Sequence, residues 1–152
     1  MTRLIGIDLG TRRIGVAIGD SESAMVRPLA TVRRSSAERE RDTLARLIVE
    51  QSVDEVVVGL PLNMDGSEGE QAVITRHWAS AVIEPLGVPV SWRDERLTSA
   101  RAEERLRAPR RGRTGGPPSA ASRSAHRAAI DRQAAALILQ AELDARREAI
   151  RP

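Results

Sequence analysis

Four acidic side chains in this sequence stand where a carboxylate needs an explanation. Asp8 sits in the run Leu4-Ile5-Gly6-Ile7-Asp8-Leu9. Ile5, Ile7 and Leu9 share one face of a strand there, and Leu4, Gly6 and Asp8 share the other. A carboxylate on an apolar strand is costly unless water, a hydrogen bond or a cation satisfies it. Asp94 and Glu95 follow the apolar run Val88 to Trp92 and precede the helix-start signal Thr98-Ser99. That places them at the C-terminal edge of a sheet, where α/β proteins usually keep their chemistry. Asp131 opens the series Asp131, Ala134, Ala135, Ile138, spaced i, i+3, i+4, i+7, and so lies on the buried stripe of a helix. Each carboxylate alone has a structural explanation: a turn cap at Asp8, a helix-dipole partner at Asp94-Glu95, a satisfied helix Asp at Asp131. Together they form an oxygen-only set in a chain with no Cys and two His, which favours Mg²⁺ or Mn²⁺. Two such ions, roughly 3.5–4 Å apart, activate a water and stabilise the leaving oxygen at a phosphodiester. Of the adjacent pair, Glu95 is preferred over Asp94 because its longer side chain reaches further from the strand end.

These residues must be positioned by a sheet and its helices. Ile14 to Ile18 reads as a second strand after the turn Gly10-Thr11-Arg12-Arg13, and Val26 to Val32 as a third, so the N-terminal part is an antiparallel meander. Ser35 and Glu38 have the spacing of a capping box for a helix to about Gln51, with Leu44, Leu47 and Ile48 inward. Glu55 to Leu60 is nearly continuously apolar, as a strand buried on both faces requires. Gly66 to Leu86 is mostly helix, ended by Pro85 and Gly87; Val88 to Trp92 is a fifth strand. Thr98 starts a third helix that fades near Pro109. Gly115-Gly116-Pro117-Pro118 marks a flexible basic loop, at about 108–126, and Arg127 to Ile150 a last helix carrying Ile130, Ala134, Leu137, Ile138 and Ala141. The order βββαβαβα, plus that C-terminal helix, describes an α/β protein with a five-stranded mixed sheet flanked by helices.

Composition narrows the function. With 152 residues the chain is long enough for one domain, residues 1–152. Two Trp with no Phe or Tyr leave no platform for stacking bases. No Cys means no thiol catalysis and no cysteine-held zinc. All 24 basic residues are Arg, and the absence of Lys removes an intact P-loop and Schiff-base catalysis. Arg105 to Arg127 holds seven Arg and no acid, so the net charge of +3 leaves the remainder of the chain at −4. An acidic body with one basic segment suits a protein that holds a cation in one place and a polyanion in another. No apolar run approaches a membrane span and no signal segment opens the chain, so a cytoplasmic protein is expected. Gly59 to Gly66 ends the central strand in a Gly-flanked turn where Asn63 and exposed amides are candidates for a phosphate. Met64 and Trp92 read as packing residues, and His77 and His126 as surface or structural ones.

Four segments carry a family resemblance: Gly6 to Ala17 (GIDLGTRRIGVA), Val58 to Ser67 (VGLPLNMDGS), Asp94 to Ser99 (DERLTS) and Asp131 to Gln140 (DRQAAALILQ). Together, and in this order over nearly the whole chain, they resemble the YqgF family of bacterial proteins, known as Holliday junction resolvases or pre-16S ribosomal RNA nucleases. The resemblance implies a ribonuclease H-like fold and an acidic site at Asp8, Asp94-Glu95 and Asp131. It implies a nuclease that uses Mg²⁺ or Mn²⁺, with Asp8, Glu95 and Asp131 as catalytic metal ligands. The substrate it implies is structured nucleic acid, either a ribosomal RNA precursor cut at its 5′ end or branched DNA, with the RNA slightly favoured. Arg12, Arg13, Asn63, Arg110, Arg111 and Arg113 are the candidate nucleic-acid contacts, in a monomer or homodimer. The chain departs from the family between Leu106 and Asp131, where members carry a shorter Lys/Arg-rich connection. Two other readings compete. One is a binding module with a vestigial site, which binds RNA without metal-dependent cleavage. The other is a phosphotransferase of the actin and sugar-kinase type, whose phosphate loop resembles Gly6 to Thr11 but whose ATP lies between two such domains; this chain has length for one.

Overall fold

Strict side-chain alternation gives the sheet two different faces. The computed structural model describes residues 1–96, 116–117 and 119–151. Strands β1 (Arg3–Leu9), β2 (Arg13–Asp20) and β3 (Val26–Arg33) form the antiparallel meander, and β4 (Glu55–Leu60) and β5 (Val90–Asp94) add parallel to β1. The sheet order is β3-β2-β1-β4-β5. Ile5, Ile7, Val16, Val56 and Val58 point to one face and pack on Leu44 of helix α1 (Ala37–Glu50) and on Trp78 and Val82 of helix α2 (Glu70–Val82). Leu4, Ala17 and Val57 point to the other face and pack on Ala135, Ile138 and Leu139 of helix α3 (Ala120–Ile150). β4 is thus buried on both sides, as its unbroken apolar run requires.

The α3 face of the sheet is built from small residues, which lets the helix lie close. Gly15 of β2 sits directly under the backbone carbonyl of Asp131, and a Cβ there would overlap that oxygen. Toward its other end α3 is pinned by charge. Arg146 donates to both oxygens of Glu55 on β4 at 2.9 and 2.6 Å. The buried Glu142 lies 3.4 Å from Arg93 of β5 and 3.7 Å from Arg146. Fixed at both ends, α3 has little freedom to slide along the sheet, and Asp131 is positioned with it.

Several boundaries differ from the sequence reading. The α1 cap is Ser36, whose hydroxyl accepts from the Arg39 amide; Ser35 instead donates its amide to the Glu40 carboxylate. Helix α2 starts at Glu70, because Asn63 to Ser67 is folded into a hydrogen-bonded turn, and it stops at Val82, ahead of a short 3₁₀ turn at Glu84–Leu86. β5 is shifted two residues, to Val90–Asp94, by its pairing with β4. The last helix begins at Ala120, seven residues earlier than the sequence reading, because Ser119 caps it by accepting from the Ser122 amide. Residues 120–126 of the expected loop are therefore helix. The expected helix from Thr98 and the Arg110, Arg111 and Arg113 positions lie outside the described residues. On α3, Ala141 is exposed and the inward stripe continues through Glu142 and Leu143. Met64 is exposed and does not pack, whereas Trp92 joins the core and carries the Arg76 guanidinium 4.9 Å above its ring.

Candidate active site

Three parallel strands, β1, β4 and β5, end side by side, and the acidic residues gather at that edge. Asp8 leaves β1 toward α3, following Leu4 and Gly6. On β5, Trp92 faces the α1–α2 side, so Arg93 and then Glu95 face α3. Glu95 is held in place by its amide, which donates to the Leu60 carbonyl at the end of β4. Its carboxylate lies over Gly59, where an added Cβ would come within 2.7 Å of the Glu95 Oε2 atom. Only a glycine leaves room there for the carboxylate to reach Asp8.

Asp8 and Glu95 form a hydrogen-bonded pair. Burial, then the charge of Asp8 and the hydrogen bond to it, push the Glu95 carboxyl up to about 10. Burial also raises Asp8, while the hydrogen bond from Glu95 works the other way. Burial and mutual repulsion thus favour one proton held between the two carboxyls at neutral pH. Asp131 stands close enough to feel the same field. Burial first, and Asp8 second, push it up to about 6, against the pull of Arg13, Arg127 and Arg132. Among the described residues no three His, Asp or Glu side chains are close enough to hold one ion together. The structure thus brings Asp8 and Glu95 into contact and sets Asp131 at one remove, within Coulombic reach.

Asp94 points away from this pair. Its carboxylate accepts from the Arg96 amide at 2.9 Å and from Arg96 Nε at 2.8 Å, and Arg96 reaches on to the Met64 carbonyl at 3.0 Å. Asp94 is therefore an anchor between the β5 end and the turn after β4. In that turn Asn63 is exposed, but its side chain donates to Ser67 Oγ at 3.0 Å, so it shapes the loop. Arg12 and Arg13 lie on the turn after Asp8, and Arg13 Nη2 donates to Ser124 of α3 at 3.3 Å.

Sequence reasoning missed the residues that fix this turn. Glu40, 1% exposed, accepts from Trp78 Nε1 at 3.0 Å and from Arg34 Nε at 2.7 Å. Arg34 in turn donates to the Gly10 carbonyl at 2.8 Å, and its amide to the Arg12 carbonyl at 2.9 Å. A buried carboxylate between α1 and α2 thus holds the loop that starts two residues past Asp8. The one sequence signal was a charged residue in the first turn of a helix that packs on the core.

The Asp8–Glu95 pair suits a divalent cation. Two buried carboxyls that share a proton offer oxygen donors only, and a hard cation can replace that proton and neutralise both groups.

The family model described as "RuvX: Holliday junction resolvase" matches residues 2–145. The chain is 43% identical over 144 residues to a Chloroflexus aggregans protein named "Putative pre-16S rRNA nuclease", covering 95% of this chain and 94% of that one. A Myxococcus xanthus protein of the same name is 41% identical over 145 residues, covering 95% and 89%. Among solved structures, Thermus thermophilus RuvC in complex with Holliday junction substrate aligns with a TM-score of 0.55 at 17% identity, covering 97% of this chain and 96% of that one. At that identity the likeness concerns the fold, and it agrees with the ribonuclease H-like architecture expected from the sequence.

Proposed function

The chain belongs to the RuvX family of Holliday junction resolvases, and we propose that it is a divalent-metal-dependent nuclease acting on structured nucleic acid. The observation that carries this reading is the hydrogen-bonded Asp8–Glu95 pair at the C-terminal edge of three parallel strands, with Asp131 in its field. Asp8 and Glu95 would hold Mg²⁺ or Mn²⁺, with Asp131 completing the acidic site. When bound, such ions supply Lewis-acid activation of a water and of the phosphodiester.

The chain's own residues do the rest. With a cation in place, Asp8 and Glu95 would present carboxylate oxygens to it, their shared proton having left to solvent. Asp131, pushed up to about 6 in the cation-free protein by burial and by the charge of Asp8, would return to a carboxylate as a cation offsets that charge. The arginines on the turn after Asp8 orient the phosphate backbone across the carboxylates, and their charge offsets the repulsion between an acidic site and a polyanion. Arg110, Arg111 and Arg113 belong to the same reading as contacts from the basic segment, as does Asn63 through the turn after β4.

The relatives' names favour a pre-16S ribosomal RNA substrate, and our reading puts the cut near its 5′ end and the reaction in the cytoplasm; the family's description favours a four-way DNA junction. Incubating the purified protein with each substrate, with Mn²⁺ and with chelator, separates the two. Cleavage of the precursor in Mn²⁺ that stops in chelator supports RNA processing, and cleavage of the junction alone transfers the assignment to DNA. Tight binding with no cleavage of either substrate in Mn²⁺ would reduce the protein to a binding module.

A further inference from the structure

On the β3 side of α3, next to the carboxylates, a cleft of about 1270 Å³ opens between the Gly10–Arg13 turn, the end of β3 and the first three turns of α3. Of the described residues that line it, seven are arginines and one, Asp131, is an acid. The floor carries an arrangement that a sheet ordinarily avoids. Arg13 and Arg33 are direct cross-strand partners of β2 and β3, on the same face. Like charges placed opposite each other destabilise an antiparallel pair.

Asp131, the one acid among the described lining residues, offsets only part of that charge. Among the described residues no carboxylate forms an ion pair with Arg12, Arg13, Arg33 or Arg132. Those that are held in place are held by neutral groups. Arg132 Nη1 donates to Thr31 Oγ1 at 2.9 Å, and that hydroxyl donates to the Ala128 carbonyl at 2.9 Å. Arg13 is oriented by Ser124. Guanidiniums fixed by hydroxyls keep their full charge for a ligand, and the side-chain entropy of placing them is already spent. Arg34 marks the contrast, since the buried Glu40 neutralises it and leaves it as a strut.

We propose that this cleft extends the nucleic-acid contact outward from Arg13, with Arg33 and Arg132 seating the phosphates of the strand or arm flanking the scissile bond. Its ligand chemistry is the phosphodiester backbone, of RNA or DNA. The description of that backbone as flanking a scissile bond rests on the nuclease reading above; the binding itself does not.

The test is a salt titration of binding in excess chelator, so that no cleavage occurs. Wild type, Arg33→Ala/Arg132→Gln and a distant control, Arg39→Ala/Arg46→Ala on α1, are each titrated with a four-way DNA junction and with a ribosomal RNA precursor stem-loop. Gln at 132 retains an amide donor for Thr31, and a melting curve on each variant checks that the fold persists. Each lost phosphate contact lowers the slope of log affinity against log salt by about 0.7–0.9, so the cleft variant should lose about 1.4–1.8 and the α1 control nothing. A loss on only one substrate assigns the cleft to that backbone. An unchanged slope in a folded cleft variant, an equal loss in the α1 control, or no binding by wild type overturns the proposal. If the cleft variant loses slope while wild type cleaves neither substrate in Mn²⁺, the cleft stands and the nuclease reading falls.

Discussion

Gly15 of β2 and Asp131 of α3 meet backbone to backbone: the carbonyl of Asp131 rests where a Cβ of residue 15 would be. Gly15 is also the cross-strand partner of Asp8. Asp131 is therefore gauged against Asp8 by backbone contact, independently of its own side chain. Gly15→Ala should push α3 off the sheet at this point. We expect a loss of about 1–3 kcal/mol, the usual cost of overpacking, read as a lower melting temperature. Cleavage should fall by more than stability explains, since Asp131 moves with the helix. A variant with wild-type turnover would show that the Asp131 position is not critical.

Glu95 and Asp94 are neighbours in sequence and opposites in orientation, so their substitutions should separate cleanly. Glu95→Gln removes a member of the carboxyl pair, and cleavage should drop by about 100-fold or more, the scale on which loss of one preorganised polar group at a reacting centre is felt. Without cation, the same variant should be no less stable than wild type, because a buried acid beside Asp8 becomes a neutral amide. Asp94→Asn loosens the Arg96 clamp on the Met64 carbonyl and should chiefly raise the substrate concentration needed for half-maximal rate. Steady-state kinetics on both variants decide this, and equal effects would return the two residues to a common capping role.

The parts of this architecture that were legible in the sequence are those governed by short periodicities. Alternation in Leu4 to Leu9 put Asp8 on the face opposite Ile5 and Ile7, and the i, i+3, i+4, i+7 series put Asp131 on the inward stripe of α3. Side-chain length was the reason to expect Glu95 to reach further than Asp94; in the structure it is parity that aims residue 95 at Asp8, because Trp92 faces one core and residue 95 the other. What stayed hidden depends on partners distant along the chain. Glu40 reads as one more solvated helix acid until Trp78 arrives 38 residues later, and Glu142 until Arg93, 49 residues earlier, meets it. The early start of α3 was hidden for a local reason: Ser119 to Ser124 has the composition of a loop, and only the cap bond to Ser122 makes it a helix end.

Glu40 should be the most costly charge in the molecule to remove. Glu40→Ala leaves Trp78 Nε1 and the half-buried Arg34 without their acceptor. Breaking a buried pair on one side typically costs about 3–5 kcal/mol, so denaturant midpoints should fall accordingly. Glu40→Gln keeps an acceptor for Trp78 and should cost clearly less. Both should also loosen the Gly10–Arg13 turn, because Arg34 braces the Gly10 carbonyl. A Glu40→Ala protein as stable as wild type would show that this network contributes little to the fold.

The carboxyl pair gives the cation-free protein an unusual pH dependence. Glu95 titrates near 4.5 when exposed and at about 10 in the fold, and Asp131 moves from 3.8 to about 6. In each case the folded chain holds the proton more tightly than the unfolded chain. The stabilisation is therefore complete below the unfolded values and is lost as pH rises toward the folded ones. Stability in chelator should decline most steeply between about pH 4 and 6, where the fold alone holds both protons, and more gently up to about pH 10, where only Glu95 contributes. Glu95→Gln should flatten the second part of the decline and make the first part shallower. Mn²⁺ should reverse the slope, because a cation that displaces the shared proton binds more tightly as pH rises. Melting temperatures of wild type and Glu95→Gln from pH 5 to 9.5, with Mn²⁺ and with chelator, test all three statements. Parallel curves for the two proteins in chelator would mean that Asp8 and Glu95 do not share a proton in the folded state.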